Sequence, residues 1–546
     1  MSEQRRPGVI LGSQVQPCFK RGIRQIVNAI RPTFGPFPRV VAYDNLISSK
    51  PPKILDDGGT IARRIIQLPH PTEDVGAMFL RQVLWRVRER VGDGVATTTV
   101  LFDAIYNQGL RHLAAGGDAM ELRGHLEAGM RMIDANLSRM TIPLRDINRQ
   151  QKLIQIAHSL CYDSQLAELL GEIFKVIGEY GVLDIRASQG RETRWEFVEG
   201  TYWPGSLLSR HFETDTVQMR AEVHDAAILI SDVEIKDAQE LLPILQAIIQ
   251  QGKIKTLFLV VKSLPDLAVH LLTSEATRKH IRVVAVSTPF SSLTAQMSAL
   301  QDLALLTGGR SIIGKAGQTL RAAKLEDLGR TSRAWADRHN FGISGGLGNK
   351  SQLLDFLTKL SDAHLNAGNK EEQDTLQERI GKLVGGSATL SIGGATESEL
   401  ETRKELAQRT ARALRVAMLG GVLPGGGMAL LNCRPALQKK MKFSASFTER
   451  AAYRALLEGI EAPFRVLLAN AGYEEPGRIL REIRKSGKGW GFDLRSGCIV
   501  NMQQAGILDV AAVQMDAIRS AISSAALALT IENVVHHRNP QVETEP

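Results

Sequence analysis

Gly92-Asp93-Gly94-Val95-Ala96-Thr97-Thr98-Thr99 (GDGVATTT, residues 92–99) joins the amphipathic stretch VGAMFLRQVLWRVRERV to a second one, TTTVLFDAIYNQGLRHLAAGG. Apolar residues recur at helical spacing on both sides, so the string is a tight turn between helices, the second of which starts near Thr97. Glycines there let the backbone approach a phosphate, the helix start presents free N–H groups and the positive end of a dipole, and Asp93 is placed to hold Mg²⁺. That chemistry suits a nucleotide. Read alone, the string is equally an ordinary Gly/Asp turn with a threonine N-cap.

Three more glycine-bearing turns can converge on the same place: Thr33-Phe34-Gly35-Pro36, Asp56-Asp57-Gly58-Gly59 and Pro424-Gly425-Gly426-Gly427. Each is weak by itself; the paired carboxylates of Asp56 and Asp57 suit metal binding or water activation, or simply a solvated turn. The first third is helical, and the closing Gly pair of HLAAGG suits a C-cap. The middle alternates strand and helix: AAILIS, AQELLPILQAIIQQGK, TLFLVV, a helix near LAVHLLTSEATRKH, and IRVVAVS. Beyond about residue 410 the pattern is helical again, ending in the small-residue helix MDAIRSAISSAALALTIENVV. The expected fold is therefore multidomain, α plus α/β, with an α/β module inserted into a helical domain whose halves pair in space. Pro143, Gly200, Gly385, Gly386 and Gly421 are the candidate hinges.

A chain of 546 residues exceeds what one core supports, and 43% hydrophobic with 23% charged residues is ordinary for a globular protein. The four cysteines, Cys18, Cys161, Cys433 and Cys498, are far apart and form no CxxC or Cys/His cluster, which points to a reducing, cytoplasmic setting rather than a disulfide framework or zinc site. No apolar run is long enough to span a bilayer, and the N-terminus lacks a signal-type apolar core, so no membrane partner is expected. The net charge of +9 comes from interleaved charges, as in RQVLWRVRER, and implies no nucleic-acid partner.

Taken in order, TFGPFPR, ILDDGGTIARRI, VGDGVATTTVL, FVEGTYWPGSLLSRHF, AQELLPILQAIIQQGK, LQDLALLTGGRSI, LQERIGKLVGG, ATESEL, GGVLPGGGMALL and AGILD resemble the group I chaperonins, the GroEL type, from about Gly22 to Val535. The resemblance implies a chaperonin fold: an equatorial domain (1–141 and 420–546) that binds ATP and builds the ring, an intermediate domain (142–198 and 386–419) and an α/β apical domain (199–385). It implies ATP and Mg²⁺ as cofactors, with Thr33, Gly35, Pro36, Gly94, Thr97, Gly426 and Asp509 at the nucleotide, Asp93 on the metal, and Asp57 supporting hydrolysis. It also implies double seven-membered rings, non-native polypeptides as clients, and a lid-like co-chaperonin. Leu207, Phe212, Leu242 and Leu245 fall where the family exposes its apolar substrate groove, with His211 replacing an aromatic.

The departures bear on chemistry. Val95 and Ala96 replace two hydroxyl residues of the family's GDGTTT string, and Phe37 replaces a lysine near the phosphates. Arg409 aligns with the carboxylate that orients the attacking water. An arginine cannot take a proton from water, although it can clamp a γ-phosphate; Glu405, one turn away, is a candidate substitute, and a plain solvated Arg409 is the third alternative. The chain ends RNPQVETEP where the family carries a flexible Gly-Gly-Met tail. Two readings follow: an ATP-driven folding chaperonin, or an ATPase-impaired paralogue acting as a holdase or mixed-ring subunit.

Overall fold

In the computed structural model the described residues are 8–44, 53–144, 149–179, 181–188, 190–215, 219–290, 292–384 and 386–536. Gly385 and the closing RNPQVETEP lie outside them. The chain divides into two compact units, residues 1–175, 187–192 and 392–546 forming the first and 176–186 with 193–391 the second.

The first unit is a helical bundle drawn from both ends of the chain. Val15–Ile30 buries Phe19, Ile23, Ile26 and Ile30 along one face against Pro71–Val91. The two backbones touch: a Cβ on Gly22 would lie 1.8 Å from the Glu73 carbonyl, and one on Gly76 would lie 2.2 Å from that of Phe19. Only glycine permits that approach. Val95–Ala114 runs through the centre, packed by Phe447–Asn470 and by Ala511–Leu529, whose alanines at helical spacing allow close contact. The expected Gly pair ends the central helix as foreseen, with Gly116 at φ 84° and the Gly117 amide donating to the His112 carbonyl.

Two expected elements are redrawn. The last helix stops at Leu529 rather than running to Val535, because Asn533–His536 pairs antiparallel with Gly8–Leu11, register Val9 to Val535. The segment LAVHLLTSEATRKH is two helices, Asp266–Thr273 and Glu275–Arg278, divided at Ser274, whose hydroxyl accepts from the Thr277 amide and starts the second.

The second unit is the expected α/β module. Ala221–Ser231, Thr256–Val261 and Arg282–Ser287 are parallel neighbours and almost wholly buried, as strands covered on both faces must be. The sheet continues antiparallel through Gly329–Ala336, Asn340–Gly346 and Thr201–Pro204. Leu242–Gln251 follows a one-turn helix opened by a capping box, Asp237 with Glu240.

Here the groove expectation needs correction. Phe212 and Leu245 are 3% and 4% exposed and belong to this unit's core, since the side of the helix carrying Leu245 faces the sheet. Leu207 and Leu242 are half-buried, and the large apolar groups at the surface nearby are Ile249 and Leu267, the latter 76% exposed.

Of the candidate hinges, Pro143 is exposed, Gly200 sits at φ 92° and Gly421 at φ 82°. Gly386 opens the strand Gly386–Ile392 opposite Glu199. Beside Gly421, Ile142 and Val422 exchange both amide hydrogen bonds, at 2.8 and 2.9 Å, pinning together the points where the chain leaves and rejoins the central bundle.

Candidate functional site

A cavity of about 580 Å³ lies in the helical unit, and the four glycine-bearing turns converge on it. Gly92, at φ 78°, ends the helix Pro71–Val91 as a left-handed C-cap, and Gly94, at φ 89°, is the N-cap of Val95–Ala114. Gly94 has no side chain to satisfy the first amides of that helix, which leaves N–H groups at its start for a ligand. The Thr98 and Thr99 hydroxyls donate back to the carbonyls of Gly94 and Val95 and are buried, whereas Thr97 lines the cavity. Val95 packs into the core and is 5% exposed.

Opposite stand Thr33, Gly35 and Pro36. Their turn is fixed by Asn470, whose amide donates to the carbonyls of Arg31 and Phe34 at 2.9 and 2.8 Å. Phe37 is 47% exposed and does not line the cavity. Gly426, in the turn after the strand Val422–Pro424, and Asp509, on the paired strand Leu508–Val510, also line it. Burial first, and then the charge of Asp93, pushes the Asp509 carboxyl up to about 7, while Gln514 donates to it at 3.0 Å.

Asp57 is the most heavily engaged group. As N-cap of Gly58–Arg64 it accepts from the amide and hydroxyl of Thr60 at 2.8 and 2.7 Å. Its other oxygen accepts from Arg409 Nη1 at 2.9 Å, and Arg88 Nη1 lies 3.2 Å from the first. Burial alone would raise this carboxyl, but Arg409 and then Arg88 outweigh it and hold it below the usual range. Arg409 is thus neither a solvated helix residue nor free: it lines the cavity, 25% exposed, ion-paired to Asp57. Glu405, the candidate substitute, is exposed and does not line the cavity. Arg88 was not legible in the sequence, because one arginine among the three of RVRER (residues 86–90) carries no signal of what it meets.

The remaining wall also escaped sequence reading. It comprises the helix Arg149–Cys161 and the turn after it, with Gln155, His158, Ser159 and Tyr162 facing the hairpin residues Asp493 and Arg495. Burial pushes the Cys161 thiol up to about 11, which makes it a poor nucleophile.

Among the described residues no cluster of three or more His, Cys, Asp or Glu is set to hold a metal by itself. The donor set instead fits a cation that takes most of its ligands from phosphate and water: the charge of Asp93 raises the cost of ionising Asp509, which a cation beside Asp93 relieves.

The profile of the TCP-1/cpn60 chaperonin family matches residues 26–539. Among solved structures, the chaperonin gp146 from the bacteriophage EL 2 (Pseudomonas aeruginosa), crystallised in the presence of ATP-BeFx, matches with a TM-score of 0.67, covering 96% of this chain and 98% of that one at 18% identity. A second crystal form of gp146 gives a TM-score of 0.62 at 19% identity, with the same coverage. At such identity the likeness speaks for fold. With the family profile spanning nearly the whole chain, and a helical unit wrapped in sequence around an α/β unit, the chain belongs to the TCP-1/cpn60 chaperonin family.

Proposed function

We propose that this chain is a group I chaperonin subunit that binds Mg²⁺–ATP in the cavity, turns it over slowly, and handles non-native polypeptides as part of a ring. The observation that carries the reading is the Arg409–Asp57–Arg88 cluster: where the resemblance calls for Asp57 to support hydrolysis beside a water-orienting carboxylate, there is one carboxylate shared by two arginines. Oδ2 of Asp57 is filled by Thr60 and Arg88 and Oδ1 is turned to Arg409, which supplies only positive charge where a water-orienting carboxylate is called for. Thr33, Gly35, Pro36, Gly94, Thr97, Gly426 and Asp509 are assigned to ATP and Asp93 to Mg²⁺, on the support of their shared cavity.

The three-domain division, with an intermediate domain at 142–198 and 386–419, belongs to the same proposal, as do the hinges at Pro143, Gly200, Gly386 and Gly421. So does polypeptide binding at Leu207 and Leu242, now joined by Leu267. Four free cysteines agree with a cytoplasmic setting, and no helix among the described residues is long and apolar enough to cross a membrane. The runner-up, an active folding machine, draws on the retained Asp57 and Asp93.

The test is steady-state ATPase beside nucleotide binding and native mass, for the natural chain and for Arg409→Asp combined with Val95→Thr and Ala96→Thr. Binding in a large assembly with slow turnover, rising at least roughly tenfold in the triple variant, is the expected result. Rapid turnover by the natural chain, or no gain in the variant, overturns the catalytic assignment; absence of binding overturns the nucleotide site.

A further inference from the structure

The cavity's outer wall is fastened by a small set of groups that the catalytic reading does not use. Tyr162, the residue after the helix Arg149–Cys161, sits at φ +55°, a left-handed conformation unfavourable for an aromatic side chain. Its amide still closes the helix by donating to the His158 carbonyl at 3.0 Å. Facing it is the tip of the hairpin formed by Trp490–Asp493 and Cys498–Asn501.

That tip is shaped by Asp493, which accepts from the Arg495 amide at 3.0 Å and from the Ser496 hydroxyl at 2.6 Å. The Arg495 guanidinium then lies 5.4 Å over the Tyr162 ring, and its Nη1 is 3.3 Å from His158 Nε2. A second fastening lies one helical turn away: the Ser159 hydroxyl donates to the Gly506 carbonyl at 3.3 Å, and Gly506 leaves room for Gln155, whose Cδ would be 2.6 Å from a Cβ there.

We propose that Arg495 is a positioning residue of the nucleotide site, acting through Tyr162 and His158 to latch the outer wall over bound nucleotide, and that protonation of His158 opens the latch. This rests on the nucleotide reading of the cavity. Arg495 is always charged and can only donate, so His158 must offer an unprotonated Nε2; a protonated imidazole would set two cations against each other. The charged groups facing His158 are Arg495 from the hairpin, which disfavours the proton, and Asp163 from its own turn, which favours it; burial is the largest influence and disfavours it. Asp163 is in addition 3.8 Å from Arg403, which draws off part of its field. The Tyr162 hydroxyl is pushed up by burial and then by Asp509 and Asp93, so it stays protonated throughout and leaves His158 as the titrating member. The sign follows: burial and Arg495 hold the imidazole below the ordinary histidine value of about 6.5, so the neutral form predominates and the latch is closed at neutral pH, and the latch fails only as pH falls through that depressed value.

The probe is a fluorescent N-methylanthraniloyl-ATP with Mg²⁺ on the full chain, with its dissociation rate followed after a chase of unlabelled ATP at about pH 7.5 and about pH 5.5. Expected for the natural chain is slow release that accelerates roughly tenfold at the lower pH. Arg495→Ala and Tyr162→Gly, the latter relieving the backbone while removing the ring, should release several-fold faster at pH 7.5 and lose the pH dependence. His158→Gln, which retains a neutral acceptor, should keep slow release at both values. Release by Arg495→Ala at the natural rate, or a natural pH profile in His158→Gln, overturns the latch while leaving the nucleotide site standing. No binding of the probe by the natural chain overturns both.

Discussion

At Asp57 and Asp509 the same cavity pushes two carboxylates in opposite directions, and the difference is partners. Asp57 has two arginines and a threonine; its depressed value means that its contribution to stability is present above about pH 4 and is lost as pH falls through its folded value. Asp509 has only Gln514 and the repulsion of Asp93, so its carboxylate is a cost in the unliganded protein at pH values above about 7. Asp509→Asn should therefore raise stability at about pH 8 by roughly 2 kcal/mol, after discount for the solvent-lined cavity, with the gain fading as pH drops from 7 toward 4. Urea titrations of both chains across that range check it, and the same substitution should weaken ATP binding if Asp509 accepts from the ribose. The residues of this site that were legible lie in turns whose glycines announce a special backbone, at Gly35, Gly94 and Gly426. Arg88, His158, Tyr162 and Arg495 were not, because each matters through a partner distant in sequence, and no local pattern distinguishes them from solvated surface groups.

An element's start can be as decisive as its side chains. The helix Val95–Ala114 begins at Gly94 with φ 89°, and a Cβ there would lie 2.9 Å from Val513 Cγ1. Gly94→Ala should cost about 1–3 kcal/mol and at least roughly tenfold in nucleotide affinity, since both the left-handed backbone and the approach to Ala511–Leu529 are disturbed. Thermal melting and isothermal titration separate the two effects; a variant with natural affinity would show that the helix start does not touch the ligand. Helices with a single apolar stripe were readable from periodicity. The final strand was not: NVVH continues a helical apolar pattern, and only its pairing with Gly8–Leu11 makes it a strand. Leu245 likewise carries the same letter whether it points to a groove or to the sheet, and the packing of Leu242–Gln251 decides for the sheet.

For the molecule as a whole, the insertion of α/β text between helical text was plain from the change of period, and the two compact units follow it. Each has its own polar fastenings. In the α/β unit the buried Asp302, 1% exposed, is held by a two-pronged contact from Arg379 at 3.0 and 2.7 Å. Arg379→Ala would strand that carboxylate and should cost about 3 kcal/mol, whereas a well-packed apolar replacement of both partners should recover most of it. Calorimetry should show the transition of the α/β unit displaced by several degrees while nucleotide affinity in the helical unit stays unchanged; a parallel loss of affinity would show that the units do not melt separately.

The helical unit's assembly from both ends of the chain also sets a schedule for its birth. Synthesis proceeds at about 5–20 residues per second, and roughly 200 residues separate its first portion from its second, so on the ribosome the early helices wait on the order of ten seconds or more for the segments that cover Phe102, Ile105 and Tyr106. During that interval the nascent chain presents the kind of unsatisfied apolar surface that folding helpers recognise. A member of a chaperonin family thus passes, in its own making, through a state resembling that of a client.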